Sequence, residues 1–473
     1  MDINHFLSKM FSHTGIFTVD QENRPIFYDK LSLLIEENRE ILKTNINENP
    51  DLQLIAIDTS MGWRSIPVFL AAIAERITVL PIDSSRNPDF MMKILKEVEP
   101  QIIVTALNTS NEGILDLHLS NDQFLDGQSE LEDVAMILYT SGTTGNPKGI
   151  MLTYHNIFSN LSDILEIFDL NQYDRVYIMR PLTYASAITG ELLLALYSGS
   201  TIYLKNQSSS IFQSLTEIKK NKITFLSTTP TIANYFSKIK HGSNLHHLRY
   251  LVLSGENLNP SIVENLQSIF TNTNICNAYG LTEASPRISC LKEINRKKFE
   301  LGCVGTRLPS VEIMILDRNR NLVSEGEKGT LFVRGPNIMK GYYKDERLTK
   351  LKISNGWLCT HDRAALLDDQ LYIYGRDDEV IIRNGVNIHP IEIETALASI
   401  EGISDVLAFG RIVNEQTKIY AWVVMDFEIK QSELFKKIID HVKDSRLMPD
   451  VVEIKPYLSK TITGKKFRLR EDQ

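Results

Sequence analysis

Tyr139-Thr140-Ser141-Gly142-Thr143-Thr144-Gly145-Asn146-Pro147-Lys148-Gly149 is the stretch on which the reading of this chain turns. Thr140, Ser141, Thr143 and Thr144 supply hydroxyls, Gly142, Gly145 and Gly149 supply backbone freedom, and Lys148 stands behind a proline. The apolar run Val134 to Leu138 just before it reads as a buried strand. Thr153 is placed to cap a helix, in which Ile157, Leu161, Ile164, Leu165 and Phe168 recur at helical spacing. The segment therefore predicts strand, polar glycine loop, helix. Glycines let a backbone approach a ligand closely. Hydroxyls and free N–H groups donate to phosphate oxygens, and a lysine adds a mobile positive charge. A solvent turn seldom combines this length, hydroxyl count and lysine. The spacing fits neither GxxxxGK[ST] nor GxGxxG, which disfavours a P-loop ATPase and a dinucleotide-binding Rossmann enzyme.

With that pattern the stretch resembles the phosphate loop of the adenylate-forming superfamily, which comprises acyl- and aryl-CoA ligases, amino-acid adenylation domains and luciferases. The 473 residues are long enough for two or three domains with large cores. A hydrophobic content of 43% and a charged content of 23% describe an ordinary globular chain. A net charge of -8 argues against nucleic acid or an anionic membrane as the main partner. Cys276, Cys290, Cys303 and Cys359 lack metal-ligand spacing and suit free thiols in a reducing cytoplasm. Met1-Asp2-Ile3-Asn4-His5 starts without a basic region and apolar core, so no signal peptide is expected. The run Ile66 to Leu80 is broken by Glu75-Arg76, so no membrane span is expected.

Upstream of the loop, Leu54 to Asp58, Ile77 to Ile82 and residues 101–105 read as strands, with a helix from Pro67 to Ala74. The alternation predicts an α/β fold with a doubly wound layer. Downstream, Ile223 to Thr228 and Leu251 to Ser254 read as strands ending in turns. Asn277-Ala278-Tyr279-Gly280-Leu281-Thr282-Glu283 then combines an aromatic face able to stack on a purine, a hydroxyl for an α-phosphate, and a carboxylate for Mg²⁺. Residues 404–410, 418–425 and Val451 to Ile454 read as strands, and Leu434, Ile438 and Val442 share a helical face.

The resemblance extends over nearly the whole chain. It implies a large N-terminal AMP-binding domain of layered α/β subdomains, residues 1–377, and a small α+β C-terminal lid domain, residues 378–473. It assigns Thr140, Ser141, Gly142, Thr143, Thr144, Gly145 and Lys148 to the phosphates of ATP. Gly255, Glu256 and Asn257 would approach the adenine together with Ala278, Tyr279 and Gly280, while Thr282 and Glu283 would serve catalysis, Glu283 as the metal ligand. Gly356 to Asp362 is similar to "GWxxTGD", so Asp362 would accept the ribose hydroxyls. His361 stands there in place of the usual glycine, a crowded choice if φ is positive. Gly375 to Gly385 is similar to "GRxDDxIxxxG", placing Arg376 on the ribose or phosphate side and Asp378 at the hinge. Thr461, Gly464, Lys465 and Arg468 match "PKTxxGKxxR", which makes Lys465 the catalytic lysine. Asn387 to Glu394 resembles CoA ligases more than peptide-synthetase domains, although Pro390 also simply opens a helix.

Two positions bear on the substrate. Tyr184 is read as a pocket wall or a packed aromatic, and Thr229 lies at a turn that walls the acyl pocket in relatives. Tyr184-Ala185 offers no carboxylate where amino-acid adenylation domains hold an α-ammonium, and an uncompensated ammonium in a pocket is costly. The resemblance thus implies an enzyme that uses ATP and Mg²⁺ to activate a small carboxylic acid as an acyl adenylate. The acyl group then passes to a thiol, either CoA or the phosphopantetheine of a separate carrier protein. Amino-acid activation is the enzymatic rival, and a non-catalytic nucleotide-binding pseudo-ligase the other alternative.

Overall fold

The structure, a computed structural model, describes residues 1–20, 22–85, 88–110, 113–115, 129–141, 147–206, 209–238, 245–292, 294, 302–383, 386–413 and 416–458. Two sheets and their helices share one core in the N-terminal part. In the first sheet, Leu54–Asp58 lies between Thr78–Ile82 and Ile102–Val104, parallel to both. All five residues of Leu54–Asp58 are buried, as a strand covered on both faces requires. Val134–Ser141 joins Thr78–Ile82 in parallel, and the helix Ser65–Ala74 buries nearly every side chain against this layer.

The second sheet has a parallel centre and an antiparallel wing. Its centre runs Thr201–Leu204, Arg175–Ile178, Phe225–Thr228, Tyr250–Ser254, Asn274–Gly280. Direction reverses at Arg287–Leu291, and the wing continues through Cys303–Arg307, Gln370–Arg376, Trp357–Leu367 and Gly329–Arg334 to Glu312–Leu316. Ile57 and Met136 from the first sheet and Ile178, Val252 and Ile373 from the second belong to the same buried cluster. The chain is thus a layered α/β protein, as expected.

The expected strand–loop–helix needs one correction. After the loop the chain returns as a strand, Pro147–Thr153, antiparallel to Val134–Ser141, and only then enters the helix Tyr154–Ile167. The run Ile150-Met151-Leu152 is buried on both faces and shows no alternation, so periodicity did not mark it as a strand. Gly149 pairs with Tyr139 across the two strands, and a Cβ there would lie 2.9 Å from the Tyr139 ring. Thr153 does cap the helix. Its Oγ1 accepts from Asn156 N at 3.1 Å, and Asn156 Oδ1 accepts from Thr153 N at 2.9 Å.

The C-terminal part forms a second, smaller body. Ile403–Val413 and Gln416–Met425 pair antiparallel, Val451–Ile454 adds in parallel, and the helices Pro390–Ala398 and Gln431–His441 pack on this sheet. Its core, from Ile381 and Ile388 through Leu434 to Val452, is separate from the others. Among the described residues no helix is long and apolar enough to cross a membrane.

Candidate functional site

The candidate residues gather beyond the carboxyl ends of the parallel strands, where open α/β sheets bind ligands. Three of them make one corner. Asp362 and Arg376 face each other across the wing strands, with Arg376 Nη1 at 3.8 Å from Asp362 Oδ1. Tyr279, at the end of Asn274–Gly280, donates its hydroxyl hydrogen to Asp362 Oδ2. Burial and the neighbouring Asp362 charge hold the Tyr279 phenol well above its ordinary pKa, so it remains a neutral donor. Asp362 is only 6% exposed, and its backbone N–H donates to Thr360 Oγ1 at 3.0 Å, while Tyr279 and Arg376 hold the carboxylate itself. His361 beside it takes φ of +59°, the left-handed conformation that a glycine would adopt without strain.

Glu283 marks a second corner. It lies in the turn Thr282–Ala284, and its Oε1 accepts from Tyr342 Oη at 3.0 Å. Lys148 Nζ sits 6.0 Å from the centroid of the same Tyr342 ring. Tyr342 is carried there by a two-residue strand, Gly341–Tyr342, that pairs with Pro147–Thr153. Burial, with Glu283 next to it, raises the Tyr342 phenol above its ordinary range. Lys352 completes the corner. Burial chiefly, then the charge of Arg376, lowers its pKa, with Lys148 acting in the same sense and Glu283 opposing. Since Arg376 acts on both Tyr342 and Lys352, the two corners adjoin.

A third group lies at the next strand ends. Gly255 turns at φ of +87° after Tyr250–Ser254. Glu256 Oε2 accepts from Thr231 Oγ1 at 2.6 Å and Thr231 N at 3.2 Å, so the first turn of the helix Pro230–Lys238 holds it. Asn257 is exposed, Ala278 buried, and Gly280 exposed. A Cβ on Gly280 would overlap the Pro286 carbonyl oxygen, which explains glycine at that position. Thr229 is half-buried, with its Oγ1 accepting from Ile232 N at 3.4 Å. Tyr184 is half-buried against the main core.

Thr140 pairs with Lys148 and Ser141 with Pro147 at the root of the loop. Gly142, Thr143, Thr144, Gly145 and Lys465 lie outside the described residues. Asp378 lies in the turn Asp377–Glu379, between the wing and the strand Ile381–Arg383.

Among the described residues no set of three or more histidine, cysteine, aspartate and glutamate side chains forms a closed metal centre. A lone half-buried carboxylate, Glu283, suits Mg²⁺, which takes most of its oxygens from phosphate and water. Sequence reasoning missed Tyr342 and Lys352, the first because Gly341-Tyr342-Tyr343 reads as core. It also missed Glu191, a buried acid in the mostly apolar segment Ile188 to Leu196, and Arg287, which opens the buried strand Arg287–Leu291. A charge inside an apolar run was the available signal for both.

Comparison with known proteins fits this geometry. The sequence model described as AMP-binding enzyme matches residues 49–343. The chain is similar to 2-succinylbenzoate–CoA ligase of Bacillus licheniformis, 34% identical over 313 residues that span 64% of this chain and 63% of that protein. It is also similar to oxalate–CoA ligase of Arabidopsis thaliana, 28% identical over 377 residues and 72% of each protein. In fold it is similar to ATP-bound MatB from Rhodopseudomonas palustris, with a TM-score of 0.83, 19% identity, and coverage of 98% of this chain and 97% of that one. The family match alone takes in more than half of the 473 residues, from the first sheet through the phosphate loop to Tyr343, and the chain belongs to the AMP-binding enzymes, the adenylate-forming superfamily.

Proposed function

We propose that this chain is an AMP-forming acid–thiol ligase that activates a small carboxylic acid and transfers it to CoA. The observation that carries the reading is the pairing of Tyr279, Asp362 and Arg376 in one corner and of Glu283, Tyr342 and Lys148 in the corner beside it. Asp362 is the acceptor for the ribose hydroxyls, with Tyr279 and Arg376 setting its orientation. Gly255, Glu256 and Asn257, with Ala278 and Gly280, border the adenine. Lys148 offsets the charge of the β- and γ-phosphates, and the hydroxyls of the glycine loop, Thr140 and Ser141 included, donate hydrogen bonds to them.

In the first half-reaction a carboxylate oxygen of the acid bonds to the α-phosphorus of ATP, the bond to the bridging oxygen breaks, and pyrophosphate leaves. Negative charge builds on phosphate oxygens, so catalysis rests on placed donors and cations. Thr282 and Lys465 serve the α-phosphate and the attacking carboxylate. Glu283 would hold Mg²⁺, which when bound neutralises phosphate charge. In the second half-reaction a thiolate sulfur bonds to the acyl carbon and AMP leaves. For this the body, residues 1–377, and the lid, residues 378–473, change their relative pose about Asp378. CoA in the names of both curated relatives supports CoA as the acceptor. A carrier-protein phosphopantetheine presents the same thiol arm and is the second reading, supported by the fold likeness to a structure of McyG A-PCP with phenylalanyl-adenylate. Four free cysteines suit a cytoplasmic setting.

The test is ATP–pyrophosphate exchange by the purified chain over a panel of fatty, aryl and amino acids, followed by thioester formation with CoA. We expect exchange with non-amino acids and a loss of about 10²–10³ in rate for Lys465→Ala. Exchange confined to α-amino acids would establish the amino-acid rival. Nucleotide binding without exchange on any acid would establish a pseudo-ligase.

A further inference from the structure

A buried polar cluster lies between the Ser254–Gly255 turn and the Gly280–Thr282 turn, and neither corner of the nucleotide site uses it. Arg287 is 4% exposed and stands opposite Gly280 in the antiparallel ladder. Its backbone is pinned, with N donating to Asn160 Oδ1 at 3.1 Å and O accepting from Asn160 Nδ2 at 2.9 Å. Its side chain reaches the segment Ile188–Leu193, where a Cβ on Gly190 would lie 3.3 Å from Nη2. That segment is π-helical, a rare conformation that is frequent at functional sites. Next along it is Glu191, fully buried, near Arg180, Arg287 and Ser227.

The cluster is polar yet unsatisfied. Arg287 Nε and Nη2 and the hydroxyl of Thr228 are buried without hydrogen-bond partners among the described residues, while Ser227 stands against the Glu191 carboxylate. Arg180, by contrast, is well held, donating through Nη1 to Ser186 Oγ and through Nη2 to Ser254 O and Oγ, each at 3.0 Å. Buried polar groups are nearly always paired, and several unpaired ones in one place need an explanation, of which a bound polar group is one. Ser227 and Thr228 close a parallel strand, and Ser254 closes its neighbour, so the cluster occupies the ligand-binding end of the sheet. Arg287 also lies across the ladder from the turn that carries Thr282 and Glu283. That puts the cluster beside the turn of Thr282 and Glu283 in the ladder, where a distal group of the bound acid would have to be held.

Two guanidiniums against one carboxylate leave the cluster positive. An ammonium would be repelled, and a hydrocarbon tail would leave every one of these groups desolvated and unpaired. A carboxylate fits, because it accepts two parallel N–H bonds from a guanidinium fork. Resting on the ligase reading above, we propose that Arg287, with Arg180 and Glu191 beside it, binds a second carboxylate on the acid substrate, so that the chain activates dicarboxylic acids in preference to their monocarboxylic counterparts.

The experiment compares acids of one skeleton by ATP–pyrophosphate exchange with the purified full chain: benzoate against phthalate and isophthalate, hexanoate against adipate, butyrate against succinate. For at least one pair kcat/KM should favour the diacid by about 10²-fold, the discrimination expected when a buried charged donor loses its partner. In Arg287→Met that ratio should collapse, and in Arg287→Lys it should fall less, since charge remains without the fork. The wild-type series decides even where a variant fails to fold. Preference for the monoacid in every pair overturns this proposal and leaves the ligase reading standing, as does an unchanged ratio in a folded Arg287→Met. No exchange with any acid overturns both.

Discussion

Glu191 shows what a single residue can disclose. Its carboxyl is fully buried, and burial pushes its pKa from 4.5 up to about 7, against the lowering charges of Arg180 and Arg287. The unfolded chain releases this proton near its ordinary value and the folded chain only near neutrality. The stabilisation is therefore complete below the ordinary value and is lost as pH rises through about 7. Glu191→Gln cannot ionise, so its melting temperature should decline less than that of the wild type between about pH 5 and 8. Parallel curves would mean that Glu191 does not titrate in that range. Glu283 makes a different prediction. Its carboxylate accepts from the Tyr342 hydroxyl, and a carboxylate has capacity beyond one such bond for a cation. Glu283→Gln should shift the magnesium dependence of exchange to higher concentration, by about tenfold or more. Superimposable titrations would reduce Glu283 to an anchor for Tyr342. His361 was suspect from sequence alone, and the structure finds it at the positive φ that made it suspect.

At the level of elements, the decisive unit is the hairpin from Val134 to Thr153 and the helix it feeds. The return strand gives Lys148 a fixed base and gives Tyr342 a ladder to join, so the hairpin positions the second corner of the site. Thr153 closes that strand and opens the helix. Removing its hydroxyl in Thr153→Ala leaves Asn156 N without a partner and should destabilise by about 1 kcal/mol. A drop in melting temperature, with Thr153→Ser close to wild type, checks this. No change would mean that water replaces the cap. The interior of this helix was readable, because Ile157, Leu161 and Ile164 are all buried at helical spacing. The strand before it was not, because it shows no alternation and its apolar run, Ile150 to Leu152, is too short to read as a buried strand, unlike the run at Leu54–Asp58.

For the whole molecule, the prediction concerns the join between its two bodies. The C-terminal body has its own core, and the turn Asp377–Glu379 is fastened on the N-terminal side, with Asp377 Oδ2 accepting from Thr330 Oγ1 at 2.6 Å. Rotation is therefore expected just beyond Asp377, at Asp378. Proline fixes φ near -65°, so Asp378→Pro should hold one pose. Pyrophosphate exchange is expected to persist while thioester formation from supplied acyl adenylate collapses. An equal loss of both half-reactions would point to a damaged site, and no loss in either would move the pivot elsewhere.

By itself the sequence determined the layered α/β class and the main strands, and it singled out Tyr279, Asp362 and Arg376, which the structure brings together. Those features are local: the apolar runs at Leu54–Asp58 and Val451–Ile454, the Thr153 cap, and short blocks such as Tyr279 to Glu283. Only the tertiary structure decided what lies opposite these blocks. It set Arg376 across from Asp362 and Arg287 across from Gly280, and it brought Tyr342 to Glu283 from 59 residues away. It also buried Glu191 beside Arg180 and Arg287. The reason is physical. Periodicity and capping act over one turn or one strand, whereas pairing across a sheet and the loss of water around a charge depend on which distant segment arrives.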